Sequence, residues 1–109
     1  MVEITINYQD KRIISFEVNG HAGYAPPGQD IYCAGVSAVT QTALLGLLKH
    51  LSHKPVFSAA KGNLTLKLPD ALNPEEKEKA QIILSTMETG LLSMQEAYGE
   101  FIRVKIRRC

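Results

Sequence analysis

The chain has 109 residues, 45% of them hydrophobic, a size for one domain over residues 1–109, whose folding would withdraw roughly two-thirds of its surface from water. Twelve basic against eleven acidic residues leave a formal charge of +1, so no net field holds nucleic acid or an anionic membrane, and neither is expected as a direct partner. Cys33 and Cys109 are the only cysteines, a poor framework for a disulfide-stapled secreted domain. With histidines only at 21, 50 and 53, no zinc ligand set forms, and neither metal nor cofactor is expected. Apolar stretches are broken before ~18 positions, and Glu3 stands where a signal peptide would be basic, so the expected location is the cytoplasm.

Val2, Ile4, Ile6 and Tyr8 alternate with polar residues, and after Gln9-Asp10-Lys11 the alternation resumes at Ile14, Phe16 and Val18. This predicts a hairpin with one buried face. Residues 20–29 contain Gly20, Gly23, Gly28, Pro26 and Pro27, punctuation that predicts a loop. From Ile31 the period becomes helical through Val36, Val39, Ala43, Leu44, Leu47, Leu48 and Leu51, with Asp30 as N-cap. A second hairpin is predicted from Val56–Ala59 and Leu64–Leu68, turning at Lys61-Gly62-Asn63.

Asn73-Pro74-Glu75-Glu76 carries the marks of a helix start: a cap, proline at the first position and a glutamate three residues after the cap. The stripe Ala80, Ile83, Leu84, Met87, Leu91 and Met94 carries that helix to about Ala97 or Tyr98, with Gly90 offering a close backbone approach. A last strand follows at Ile102, Val104 and Ile106. The expected order is ββαββαβ, an α+β fold with a mainly antiparallel sheet and two long helices packed on one face. The other face is left bare, and apolar residues such as Phe57 and Phe101 on it would favour a homodimer.

The segment richest in chemistry is Gly20-His21-Ala22-Gly23-Tyr24 followed by Gly28-Gln29-Asp30-Ile31-Tyr32-Cys33-Ala34. Cys33 falls in the first helical turn, where unpaired N–H groups and the positive end of the helix dipole favour an anionic sulfur. His21 leaves the second strand, and the intervening loop allows the pair to meet as nucleophile and general base. First-turn N–H groups are candidate donors to a tetrahedral oxyanion, with Gln29 as an additional one. Each residue also has a plainer reading: a helical cysteine is most often a small core hydrophobe, a loop histidine a solvated side chain, and Asp30 only a cap.

Gly-His-Ala at 20–22, Gly28, Asp30-Ile31-Tyr32-Cys33-Ala34 and Val36-Ser37-Ala38 together resemble the signature of the ribosomal-processing cysteine protease (Prp) family. The length and element order match as well, so the resemblance spans essentially the whole chain. It implies a protease that removes an N-terminal extension from the twenty-seventh protein of the large ribosomal subunit, permitting ribosome assembly. It also implies His21 as catalytic histidine, Cys33 as nucleophile, Asp30 at the acidic position before the cysteine, a homodimer and a mobile loop. The substrate-gating segment would comprise Gly23, Tyr24, Pro26, Pro27 and Gly28, its prolines limiting the open states that closure must freeze out. This chain departs from the commoner pattern at Tyr32, where valine is frequent, and at Gly35, where alanine or serine is usual.

Other features read as ordinary surface. His50 and His53 suit a helix C-terminus, Glu75–Lys79 a solvated helix face, and Arg103, Lys105, Arg107 and Arg108 an edge strand kept soluble by charge. A competing reading is a non-catalytic assembly domain that binds ribosomal protein or RNA through that basic strand and the sheet.

Overall fold

The computed structural model describes residues 1–20, 23, 25–26, 29–60 and 62–109. The elements are β1 (Val2–Gln9), β2 (Arg12–Asn19), α1 (Ile31–His50), β3 (Val56–Ala60), β4 (Asn63–Lys67), α2 (Pro74–Ala97) and β5 (Ile102–Arg108). They build a five-stranded mixed sheet in the order β3-β4-β2-β1-β5. β1–β2, β2–β4 and β3–β4 are antiparallel and β1–β5 is parallel. The α+β order ββαββαβ is therefore the one the patterning predicts.

The β1–β2 hairpin turns through Asp10 and Lys11, both at positive φ (52° and 65°), the backbone twist that a two-residue hairpin turn needs. Its register shifts between Asn7 and Tyr8: Asn7 lies opposite Ser15, whereas Tyr8 lies opposite Ile13. The skipped residue is Ile14, a bulge that reverses the alternation locally. Ile13, not Ile14, consequently enters the core, and Ile14 is half-buried. The Ile14 carbonyl instead accepts the Leu68 N–H at 2.9 Å. Gln81 on α2 pairs both backbone groups of Ile13, accepting its N–H at 2.8 Å and donating to its carbonyl at 2.7 Å.

One face of the sheet carries Val2, Ile4, Ile6, Phe16, Leu64, Leu66 and Ile102, all buried against Val36, Ala43, Leu44 and Leu47 of α1 and Ala80, Leu84, Met87 and Leu91 of α2. Each fully buried aliphatic or aromatic side chain contributes about 1.5–3 kcal/mol. The opposite face is polar: Glu3, Thr5, Asn7, Ser15, Glu17, Thr65, Lys67, Arg103, Lys105 and Arg107 occupy the alternate register positions. Lys105 pairs with Glu3 at 3.3 Å across β1 and β5, and Asn7 donates to Ser15 at 2.9 Å. Phe57 is opposite Leu66, hence on the helix side, and Phe101 packs against the core. The expectation that these two rings lie on the bare face is thus overturned, and with it the apolar argument for pairing two copies there.

Both helices begin as predicted. Asn73 caps α2 by accepting the Glu76 N–H at 2.9 Å. Glu76 itself does not close a reciprocal capping box. Its carboxylate reaches the segment after α1, accepting the Ser52 N–H at 2.6 Å and its hydroxyl at 2.9 Å, and these bonds hold its pKa below the ordinary glutamate value. The close interhelical approach falls at Gly35, where a Cβ would meet Met94 Cε at 3.1 Å, rather than at Gly90, where the nearest atom would be 3.9 Å away. The unusual glycine at position 35 thus makes room for Met94.

By length and composition α1 could cross a membrane, with a mean hydropathy of 1.6 over 18 residues, contrary to the expectation that no apolar stretch is long enough. Val36, Thr40, Ala43, Leu44 and Leu47 of that helix are nevertheless buried in the core described above. Thr40, unread as a core position, satisfies its hydroxyl by donating to the Val36 carbonyl at 2.9 Å.

Candidate active site

Asp30 is 6% exposed and stands in extended conformation at the N-cap of α1. Its Oδ1 accepts the N–H groups of Tyr32 at 2.9 Å and Cys33 at 3.1 Å, and its carbonyl accepts the Ala34 N–H at 3.0 Å. The predicted cap is therefore present, and it fixes where the nucleophile candidate sits on the first turn. It also changes one expectation. The N–H groups of Tyr32, Cys33 and Ala34 are already engaged, so in this conformation they are not the donors of an oxyanion hole.

Cys33 is half-buried, and Cys109 is exposed. Cys33 lines a cavity of about 520 Å³ together with Ala34, Ser37 and Gln41 of α1, Ala59 and Ala60 at the end of β3, Gly62 of the following turn, Asn63 and Leu64 of β4, and Val2 and Val18 of β1 and β2. Small and aliphatic side chains make most of this lining apolar, with Asp30, Ser37, Thr40, Gln41 and Asn63 as its polar members. Gln41 donates to Ser37 Oγ at 2.5 Å along the rim. Sequence reasoning found the α1 side of the cavity through its cap. It missed the β3–β4 side, since Ala59, Ala60 and Gly62 carry no chemical signal of their own and join the site only through sheet pairing.

The strand that delivers His21 is anchored just before it. Gly20 has φ +89°, and a Cβ there would lie 2.9 Å from the Met1 carbonyl oxygen, so only glycine fits without displacement. The Gly20 N–H donates to the Gly62 carbonyl at 3.1 Å, tying the end of β2 to the β3–β4 turn across the cavity. His21, Tyr24, Pro27 and Gly28 lie outside the described residues. Of the remaining loop positions, Gly23 has φ +77° and is exposed, Ala25 lines the cavity, and the Pro26 carbonyl accepts the Gln29 N–H at 3.0 Å. Gln29 is exposed.

Tyr32, the second departure from the common pattern, stacks on Phe101 with ring centroids 4.4 Å apart and planes 12° from parallel, and meets Tyr98 at 5.2 Å. This three-ring cluster joins the start of α1 to the turn between α2 and β5. Among the described residues no group of acidic, histidine or cysteine side chains is placed to hold a metal ion.

Residues 1–103 match the family model described as cysteine protease Prp. The chain is 35% identical over 107 residues to the ribosomal processing cysteine protease Prp of Bacillus subtilis, covering 95% of this chain and 96% of that one. It is 32% identical over 108 residues to the protein of the same name from Staphylococcus aureus, covering 97% of each. Among solved structures, the S. aureus protease Prp with a covalently linked product peptide superposes with a TM-score of 0.86 at 29% identity, covering 98% of this chain and all (100%) of that one. The same protease with a substrate peptide gives 0.82 at 27% identity, with coverage of 98% and 100%. A polar-faced sheet carrying two helices, a capped cysteine at a helix start and these matches over nearly the full length lead to one conclusion: the chain belongs to the Prp family of cysteine proteases.

Proposed function

We propose that this protease removes the N-terminal extension of the twenty-seventh protein of the large ribosomal subunit, with Cys33 as nucleophile and His21 as general base and acid. The observation that carries this reading is the placement of Cys33 at the capped start of α1 and in the wall of an apolar trough open to an extended peptide. Two relatives bear the name ribosomal processing cysteine protease, and the S. aureus protease has been solved with a substrate peptide.

In the proposed reaction His21 takes the thiol proton, and Cys33 Sγ attacks the scissile carbonyl carbon to give a tetrahedral oxyanion. The C–N bond then breaks as the imidazolium returns the proton to the leaving amine, and water hydrolyses the thioester to release the carboxylate product. Asp30 positions the sulfur by capping the helix. Oxyanion donors are to be sought beyond the Tyr32, Cys33 and Ala34 N–H groups, with Gln29 as the side-chain candidate. The loop at 23–28 gates the trough, the protein acts in the cytoplasm, and it works as a homodimer, a reading that rests on the family resemblance.

The test is incubation with a peptide spanning the extension junction. The native chain is expected to cleave it, while Cys33→Ser and His21→Ala each lose at least ~100-fold in rate. Undiminished product from the serine variant would remove the proposed nucleophile. Iodoacetamide supplies an independent reading: Cys33 should label faster than Cys109 near neutral pH, and the preference should vanish in His21→Ala. Peptide should also shield residues 22–29 from proteolysis if the loop closes over it.

A further inference from the structure

Among the described residues β3 is the terminal strand of the sheet and pairs only with β4. All five of its residues, Val56-Phe57-Ser58-Ala59-Ala60, are exposed, and none is charged or proline. Val56 and Phe57 are 72% and 42% exposed, on opposite faces of the strand. In an antiparallel edge strand alternate residues turn N–H and C=O groups away from the partner, a template for one more strand. An exposed, uncharged edge of this kind invites promiscuous association unless something is meant to occupy it.

The occupant is indicated by continuity with the active site. Ala59 and Ala60, the last residues of β3, form a wall of the same cavity that contains Cys33. A peptide lying against β3 would therefore lead toward the cavity that Cys33 lines. Three strand spacings, roughly 14 Å, separate an added strand from β2 on the far side of the cavity, and an extended chain covers about 3.3 Å per residue.

We propose that β3 is a docking edge for the substrate: an uncharged, extended segment of the precursor, starting about four residues from the scissile bond, adds to the sheet as a sixth strand. This rests on the cleavage reading above. The added strand hydrogen-bonds to the outward backbone groups of residues 56–60. On the helix side its alternate side chains lie beside Phe57 and Ala59, so an apolar residue at every second position fits best.

The test uses the full chain with junction peptides. Truncating the distal segment should raise KM at least tenfold with kcat little changed. N-methylation of single amides within it should raise KM roughly threefold to tenfold at every second position and leave the intervening positions neutral. In Cys33→Ser, bound peptide should slow hydrogen exchange at alternate amides of residues 56–60 by at least tenfold. Cleavage that ignores distal truncation, together with unchanged exchange in β3, would overturn the docking edge while leaving the protease mechanism standing. Protection of β3 without cleavage by the native chain would do the reverse. Protection that appears without peptide and grows with protein concentration would assign the edge to a second copy and also overturn the proposal.

Discussion

The two edges of the sheet are built on different rules. β5 exposes Arg103, Lys105 and Arg107 on one face. Its Val104 N–H, pointing away from β1, is taken by Gln95 Oε1 of α2. Lys105 is paired with Glu3, and the C-terminal end is held where Arg108 lies 4.4 Å over the Tyr8 ring. Among the described residues β3 has none of these devices: it is uncharged and exposed throughout. Charge repulsion, a side-chain cap and a pinned end are the usual means of keeping an edge strand unpaired. Their presence on one side and absence on the other teaches that openness at β3 is not a general tolerance of this fold. It is local to the edge beside the cavity that Cys33 lines.

That contrast can be broken most visibly by stripping β5 of its charge. The triple substitution Arg103→Val, Lys105→Val, Arg107→Val should convert β5 into a second bare edge and lower the concentration of soluble protein by roughly an order of magnitude. Light scattering against concentration checks this, and a variant that stays as soluble as the native chain would show that charge does not guard the edge. Next in size, Gln95→Met leaves the Val104 N–H without its side-chain partner and should cost about 1–2 kcal/mol in urea unfolding.

The pinned end of β5 is open to pH. The Tyr8 hydroxyl donates to both carboxylate oxygens of Glu88, at 2.9 and 2.7 Å. Burial first, then that hydrogen bond and the carboxylate charge, push its pKa up to about 12, against a smaller opposing pull from Arg108. Since the folded value lies above the unfolded one, the stabilisation is complete below pH ~10 and is lost as pH rises toward 12. One tyrosine should accordingly ionise late in an absorbance titration. Tyr8→Phe should remove that late step at about 1 kcal/mol of stability. The smallest expected effect is at the other edge: Ser58→Lys on β3 should change stability by less than about 0.5 kcal/mol, yet weaken junction-peptide binding if a strand adds there.

Legibility followed the range of the interactions. The Asp30 cap, the Asn73-Pro74 start of α2 and the Cys33 position on the first turn were readable, because each depends on residues within a few positions of one another. The Ile14 bulge was not, since alternation alone cannot show which residue a hairpin skips. Glu76 misled as a capping-box residue, because its carboxylate serves Ser52, 24 positions away in sequence. The side assigned to Phe57 went wrong for a similar reason, since the face a strand residue takes depends on register with partners far along the chain, and Phe101 precedes β5, where its ring stacks on Tyr32.

The chain by itself determined its element order, its helix starts and the residue types of the candidate site, because propensity, capping and hydrophobic period act over neighbouring residues. Only the tertiary structure decided that β5 inserts parallel beside β1, that the open face is polar, and that two alanines of β3 and a glycine of the turn after it complete the cavity lined by Cys33. Those outcomes depend on which distant surfaces bury one another, and small side chains acquire their role from what the packing sets opposite them.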